Sequence, residues 1–208
     1  VRTSSRPVAV VLFDEVELFD VAAVSGVLTT AGRQWNYRPF RVHPVAARAG
    51  MIDTRSQVRL EATTTLDGLT APEIVVVPGG YGARRALSDA ALVAWLRAAG
   101  RTATHFVGVG NGVLLLGAAG ILPGVDVAVQ HELKDALVEI AMECRPDTDS
   151  RFRQSGRVFT AAASGGAAEA ALALVAALLG AKQGRTVADA LGLPFSQPEA
   201  GQIAIVEK

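Results

Sequence analysis

Three short runs of apolar, largely β-branched residues stand out along the chain. They are PVAVVLF (7–13), the centre of PEIVVVPGG (72–80), and the head of HFVGVGNGVLLLGAAGIL (105–122). None alternates with polar residues, and unbroken runs of this length mark strands covered on both faces. Helical spacing follows each strand or lies between them. DVAAVSGVLTTAG (20–32) stops at Gly32, and SDAALVAWLRAAG (88–100) opens on Ser88 as N-cap with Asp89 beside it and stops at Gly100. The third strand runs through a glycine turn into an apolar helix ending at Gly120. WNYRPFRVHPVAARAG and MIDTRSQVRLEATTTL carry the alternation of half-exposed strands. Further on, 131–143 is amphipathic, and 150–164 is a hairpin turning at Ser155-Gly156. Residues 165–184 form one small-residue helix, and the tail from about 185 adds a short helix before a Pro/Gly-containing end. Buried strands alternating with helices predict an α/β fold, a mostly parallel sheet with helices on both faces. Ligands in such folds bind beyond the carboxyl ends of the strands.

Composition narrows the field. A chain of 208 residues, half of them hydrophobic and 19% charged, is expected to form a single globular domain with a sizeable core. Twenty basic residues balance 20 acidic ones, so neither nucleic acid nor an anionic membrane is an expected partner. No apolar run is long enough to span a bilayer, and the opening residues lack a signal-peptide h-region. A lone cysteine, Cys144, excludes an internal disulfide and fits a reducing cytoplasm. Heavy use of Ala, Gly and Arg, with Lys only at 134, 182 and 208, suggests a GC-rich bacterial genome.

Three strand-ending segments converge at the predicted ligand edge: LFDEVELFD, VVVPGG and VGVGNG. Together with GVDVAVQHE (124–132) and TAAASGGAAEAAL (160–172), in this order and spacing, they make the chain resemble the ThiJ/PfpI superfamily. These are glutamine-amidotransferase-like, flavodoxin-type sandwiches, and the isonitrile hydratase-like branch is the most similar. The resemblance covers about residues 7–193. It implies an acid at Asp20, a Pro78-Gly79-Gly80 loop, and a nucleophile elbow at Gly110-Asn111-Gly112. The family's cysteine falls on Gly110. The family histidine falls on Gln130 when the segment is read without a gap, and on His131 after a one-residue shift. The resemblance also implies a homodimer paired near this edge.

A glycine side chain cannot attack, take a proton or bind a metal. Gly110 relieves the backbone strain of an elbow and vacates volume at the centre of the pocket. What remains is Asp20, amides at Gly79-Gly80 and Gly110-Asn111, and the dipole of the helix that begins near Gly112. A carboxyl beside Leu18, Phe19 and Val21 is expected to have a raised pKa and to move protons near neutral pH. Asp20 would equally serve as the cap of its helix. Asn111 either orients a substrate or is a turn residue tolerant of unusual backbone angles, and His131 belongs either to the site or to the surface. Glu15 and Glu17 read as solvated loop acids, Tyr81 as a pocket cover, His105 as structural, His43 as unpartnered and Cys144 as inert. No residue cluster has metal-ligand spacing, and no cofactor is expected.

These features predict a cysteine-independent enzyme doing acid/base chemistry on a small organic substrate. Hydration or dehydration, cyclisation and isomerisation all fit, within bacterial specialised metabolism. Asp20 is the proton donor or acceptor, and Gly79, Gly80, Gly110, Asn111, Gln130 and His131 bind the substrate. The alternative is a non-catalytic binding or sensor protein with the same scaffold. A DNA-binding regulator is disfavoured, because no basic recognition helix is present.

Overall fold

The computed structural model describes residues 5–33 and 36–195. Strand β1 (Arg6–Val11) leads into helix α1 (Leu18–Thr30). Strand β2 (Phe40–Ala46), the hairpin β3 (Gly50–Asp53) and β4 (Arg59–Ala62), and the short β5 (Thr64–Thr65) follow. Next come β6 (Ile74–Val77), α2 (Gly82–Ala86), α3 (Ala90–Thr102), β7 (His105–Val109) and α4 (Gly112–Ala118). The rest comprises β8 (Asp126–Ala128), α5 (Lys134–Ile140), β9 (Arg145–Asp147), the hairpin β10 (Phe152–Ser155) and β11 (Val158–Ala161), α6 (Ala167–Leu179) and α7 (Ala181–Leu191).

Seven strands form one sheet in the order β10-β11-β7-β6-β1-β2-β5. All neighbouring pairs are parallel except the β10–β11 hairpin. Helices α1, α6 and α7 pack together on one face, while α4 gathers α2, α3 and α5 on the other. This is the three-layer α/β architecture that the apolar runs predict. The central strands are fully covered: Ile74, Val75, Val76 and Val77 have no exposed surface, and burying each such side chain stabilises by about 1.5–3 kcal/mol. From β1 the chain moves outward to β2, then returns to β6 on the other side. The strand order therefore reverses between β1 and β6, the point where such sheets open a ligand crevice.

Several local expectations change in three dimensions. Helix α1 starts at Leu18 and is capped by Glu17, whose carboxylate accepts from the Phe19 amide at 3.3 Å; Asp20 is therefore not its cap. Helix α3 is capped by Asp89 rather than Ser88, with Oδ1 accepting from the Ala91 and Leu92 amides at 3.0 Å. The apolar stretch 165–184 is not one helix. It breaks at Gly180, where φ is +94°, so the last helix starts at Ala181. The amphipathic segment 131–143 divides into a 3-10 turn, His131–Leu133, and α5. The short pair β8–β9 and helix α2 were not anticipated. Trp35 and the Pro/Gly-containing end beyond residue 195 lie outside the described residues.

Candidate functional site

The loops after β1, β6 and β7 meet at the switch point. The β1–α1 loop is fixed by its backbone: the Glu17 amide donates to the Gly79 carbonyl at 2.8 Å, and the Glu15 amide to the Asp53 carbonyl at 2.7 Å. Asp20, in the first turn of α1, faces inward and is 1% exposed. Its Oδ2 accepts from the Gly79 amide at 2.8 Å. A Cβ placed on Gly79 would lie 3.0 Å from that oxygen, 2.9 Å from the Val109 carbonyl and 3.4 Å from the Asn111 nitrogen. The acid, the glycine loop and the elbow therefore converge on one point, and a side chain at 79 would separate them.

Glycine is required at 80 as well. Its φ is +124°, and a Cβ there would press within 2.3 Å of the Glu15 carbonyl oxygen. Gly112 keeps α4 against the end of β6, with the Val77 and Pro78 carbonyl oxygens 2.3 and 2.5 Å from its Cβ position. Gly110 is different. It has φ +49°, yet the nearest atom to its Cβ position is the Ala162 carbonyl oxygen at 3.9 Å. The elbow geometry is present and the space beside it is open. Asn111 has ordinary helical angles, φ −61° and ψ −17°, so the unusual backbone falls on Gly110 instead. Its Nδ2 donates to the Gly80 carbonyl at 3.3 Å, which ties the elbow to the glycine loop. Helix α4 has only seven residues, so the local amides matter more here than any summed helix dipole. Among the described residues, neither the Gly80 nor the Asn111 amide donates to another backbone group.

The Asp20 pKa is raised. Burial is the main cause; the Ser164 hydroxyl and the Gly79 amide act against it, and the charge of Glu17 adds to it. The apolar neighbours in sequence are not what buries the acid, since Phe19 is 59% exposed and Leu18 and Val21 are only half-buried. Burial comes from inward placement against the Gly79 loop. Because the folded state binds this proton more tightly than the unfolded chain, Asp20 favours folding below the ordinary aspartate value of 3.8. That contribution is lost as pH rises through the raised folded value. Other acids run the opposite way. Burial opposes ionisation of Asp147, but hydrogen bonds from Ser150, Arg153 and the Asp149 and Ser150 amides hold it down to about 2. The clean measurement is therefore a difference: chemical denaturation from pH 4 to 8 should show wild type losing stability relative to Asp20→Asn as pH rises. A pH-independent difference would contradict the assigned shift.

The remaining candidates are scattered. Gln130 and His131 are both exposed, and among the described residues no hydrogen bond or ion pair joins their side chains to Asp20, Gly79 or Asn111. Their segment is anchored by the Ala128 amide donating to Thr160 Oγ1 at 2.8 Å. Tyr81 is 59% exposed and stacks under the Arg55 guanidinium at 3.9 Å, so it lies on the rim. Glu15 pairs with Arg85 at the surface, 2.7 Å apart. His105 is at the amino end of β7, away from the elbow, bonded to Thr104 Oγ1 at 2.8 Å. Cys144 is buried, and desolvation raises its pKa. No group of three or more metal-ligating side chains occurs among the described residues, and none of their helices is long and apolar enough to cross a membrane. Sequence reasoning missed Ser164, on the 3-10 turn Ser164–Gly166 ahead of α6. A serine before two glycines resembles an ordinary helix entry, so nothing local singled it out.

A site built from these three loops on this sheet defines a class. The family model for the DJ-1/PfpI family matches residues 6–177, and the chain belongs to that family. An isonitrile hydratase from Pseudomonas putida is 24% identical over 206 residues, covering 95% of this chain and 85% of that protein. A ThiJ/PfpI family protein from Pseudomonas syringae has the same fold with a TM-score of 0.83 at 20% identity, over 95% of this chain and 78% of the other. Drosophila melanogaster DJ-1beta superposes with a TM-score of 0.81 at 20% identity, over 92% of this chain and all of that one.

The open space at the elbow carries its own test. Gly110→Cys should fold, because the new Cβ meets nothing closer than 3.9 Å. The left-handed backbone should cost about 1–2 kcal/mol, a fall in melting temperature of about 2–8 °C. Failure to fold would show that the room is not there.

Proposed function

We propose that this protein is a cofactor-free acid/base enzyme acting on a small organic substrate without a covalent thiol intermediate. The observation that carries the reading is the pairing of a buried Asp20, whose pKa burial raises, with an elbow residue, Gly110, that has no side chain to attack with. Asp20 is the proton donor or acceptor. The unclaimed amides of Gly80 and Asn111 stabilise charge that develops on a substrate oxygen or nitrogen; Gly79 lets its loop close on Asp20, and Gly110 leaves the space beside the elbow open. Gln130 and His131, on an adjacent surface segment, are the outer contacts. Hydration or dehydration, cyclisation and isomerisation each need only proton transfer at this point. The isonitrile hydratase relative makes addition of water to a carbon–nitrogen multiple bond the first reaction to assay. Bacterial specialised metabolism in a reducing cytoplasm is the setting that fits the composition. Asp20→Asn compared with wild type, on an alkyl isonitrile and on small hydroxylated and unsaturated neutral compounds followed by proton NMR, tests the assignment.

One observation favours a second reading. Asp20 is 1% exposed, and a sealed carboxyl also suits a binding or sensor protein in which the acid clamps three loops. That protein would release its ligand chemically unchanged.

The exposed Phe19 and Tyr81 flank the site and suit burial against a second subunit. Phe19→Glu should shift the sedimentation coefficient from a dimer to a monomer at micromolar concentration; an unchanged value would remove this face from the interface.

A further inference from the structure

Four covered side-chain polar atoms among the described residues have no hydrogen-bond partner, and one of them is on Asp20. Two others, Thr30 Oγ1 and Gln183 Oε1, belong to residues that line a single cavity of about 170 Å³ between the end of α1 and helix α7. Such exceptions call for an explanation, because an unpaired buried polar group is destabilising. Thr30 is 7% exposed and departs from the habit of the threonines around it. Helical threonines commonly donate to the carbonyl four residues back. Thr29 does so to Ser25 at 2.7 Å, and Thr186, which also lines the cavity, to Lys182 at 2.9 Å. Thr30 leaves its hydroxyl unused. A threonine in a helix has two accessible χ1 rotamers and a glutamine amide turns freely about its last torsion, so both groups can swing to a ligand. Arg33 is the only charged residue in the lining, is exposed, and pairs with no acid among the described residues. Val187 and Ala190 supply an apolar side. The cavity is separate from the loop cluster: Asp20 and Thr30 sit at opposite ends of α1, about 15 Å apart along its axis.

We propose that this cavity binds a small 2-hydroxycarboxylate. The carboxylate accepts from the Arg33 guanidinium, whose planar fork of N–H donors suits that group, and from the Thr30 hydroxyl. The ligand hydroxyl donates to Gln183 Oε1, so both unpaired groups gain a partner. An uncharged donor is favoured over an ammonium because no acid lines the cavity. At about 30 Å³ for each water-sized group, the space holds about six non-hydrogen atoms, the size of lactate. Nothing in this assignment depends on the role of Asp20.

The test is calorimetric titration of L-lactate into the full chain, beside propionate, which lacks the hydroxyl, and propane-1,2-diol, which lacks the carboxylate. Lactate should bind saturably, and each analogue at least about tenfold more weakly, having lost a hydrogen bond to a buried or charged group. Arg33→Gln and Thr30→Val should weaken lactate by a similar factor. Thermal melting without ligand separates a binding role from a structural one. Valine keeps the shape of threonine and removes an unpaired hydroxyl, so Thr30→Val should melt at or above the wild-type temperature. A threonine whose hydroxyl is paired within the fold would make the same variant melt lower, and that result overturns the proposal. So does the lack of saturable lactate binding at tens of millimolar, propionate bound as tightly as lactate, or undiminished affinity in Arg33→Gln or Thr30→Val.

Discussion

Asp20→Asn is expected to reduce turnover by about 10²- to 10⁴-fold, the usual contribution of a positioned acid or base. Ligand affinity should change little. The asparagine amide has the shape of the carboxyl, and its oxygen can still accept from the Gly79 amide, now made to Oδ2 at 2.8 Å. The junction of α1 with the Pro78–Gly80 loop therefore survives. The variant loses the titratable carboxyl whose pKa burial raises, and with it the ability to take up or release a proton. Because a buried ionisable group is replaced by a neutral one, the melting temperature at pH 7 should be equal or higher. Steady-state rates and calorimetric ligand binding on the same samples separate the two outcomes. Turnover within threefold of wild type would remove Asp20 as the acid/base. Ligand bound and recovered unchanged by both proteins would establish the binding alternative.

Gly82→Ala is expected to be the most damaging single methyl addition at the site. A Cβ at this position would lie 1.7 Å from the Asp14 carbonyl oxygen and 3.1 Å from the Phe13 ring. The first distance is close to a covalent bond, and the obstacle is backbone rather than a side chain able to swing aside. Either α2 or the loop leading from β1 must move. That loop is fixed by the Glu17 amide to the Gly79 carbonyl and by the Glu15 amide to the Asp53 carbonyl, so displacement breaks several hydrogen bonds together. Overpacking typically costs about 1–3 kcal/mol; a backbone obstacle this near belongs at the upper end, about 3 kcal/mol, a fall in melting temperature of about 6–12 °C for a chain of this size. The same movement would pull Gly79 from Asp20 and abolish activity in whatever fraction still folds. A variant melting within 2 °C of wild type would mean that the two loops are not held as described. Gly110→Cys is the internal control, since a Cβ there meets nothing closer than 3.9 Å.

The sheet was legible because its central strands are written as unbroken apolar runs, and a strand buried on both faces admits nothing else. The glycines were legible because each loop requires a backbone too close or too left-handed for other residues. Asp20 was recognisable as a carboxyl at the predicted ligand edge, but the cause of its burial was not. Phe19 beside it points outward, and the enclosure comes from a loop 59 residues away in sequence. The cap of α3 moved by one residue because Ser88 and Asp89 satisfy the same local rule, and only the backbone geometry selects between them. The break at Gly180 was hidden because alanine-rich residues continue on both sides of it.

Sequence alone determined the layer order, the ligand edge and the residue types at each loop, since periodicity and glycine chemistry act over a few residues. Only the tertiary structure decided that Asp20 is sealed, that Gly110 faces open space, and that Gln130 and His131 lie at the surface. Burial and through-space contact depend on chain segments distant in sequence, and no local pattern encodes them.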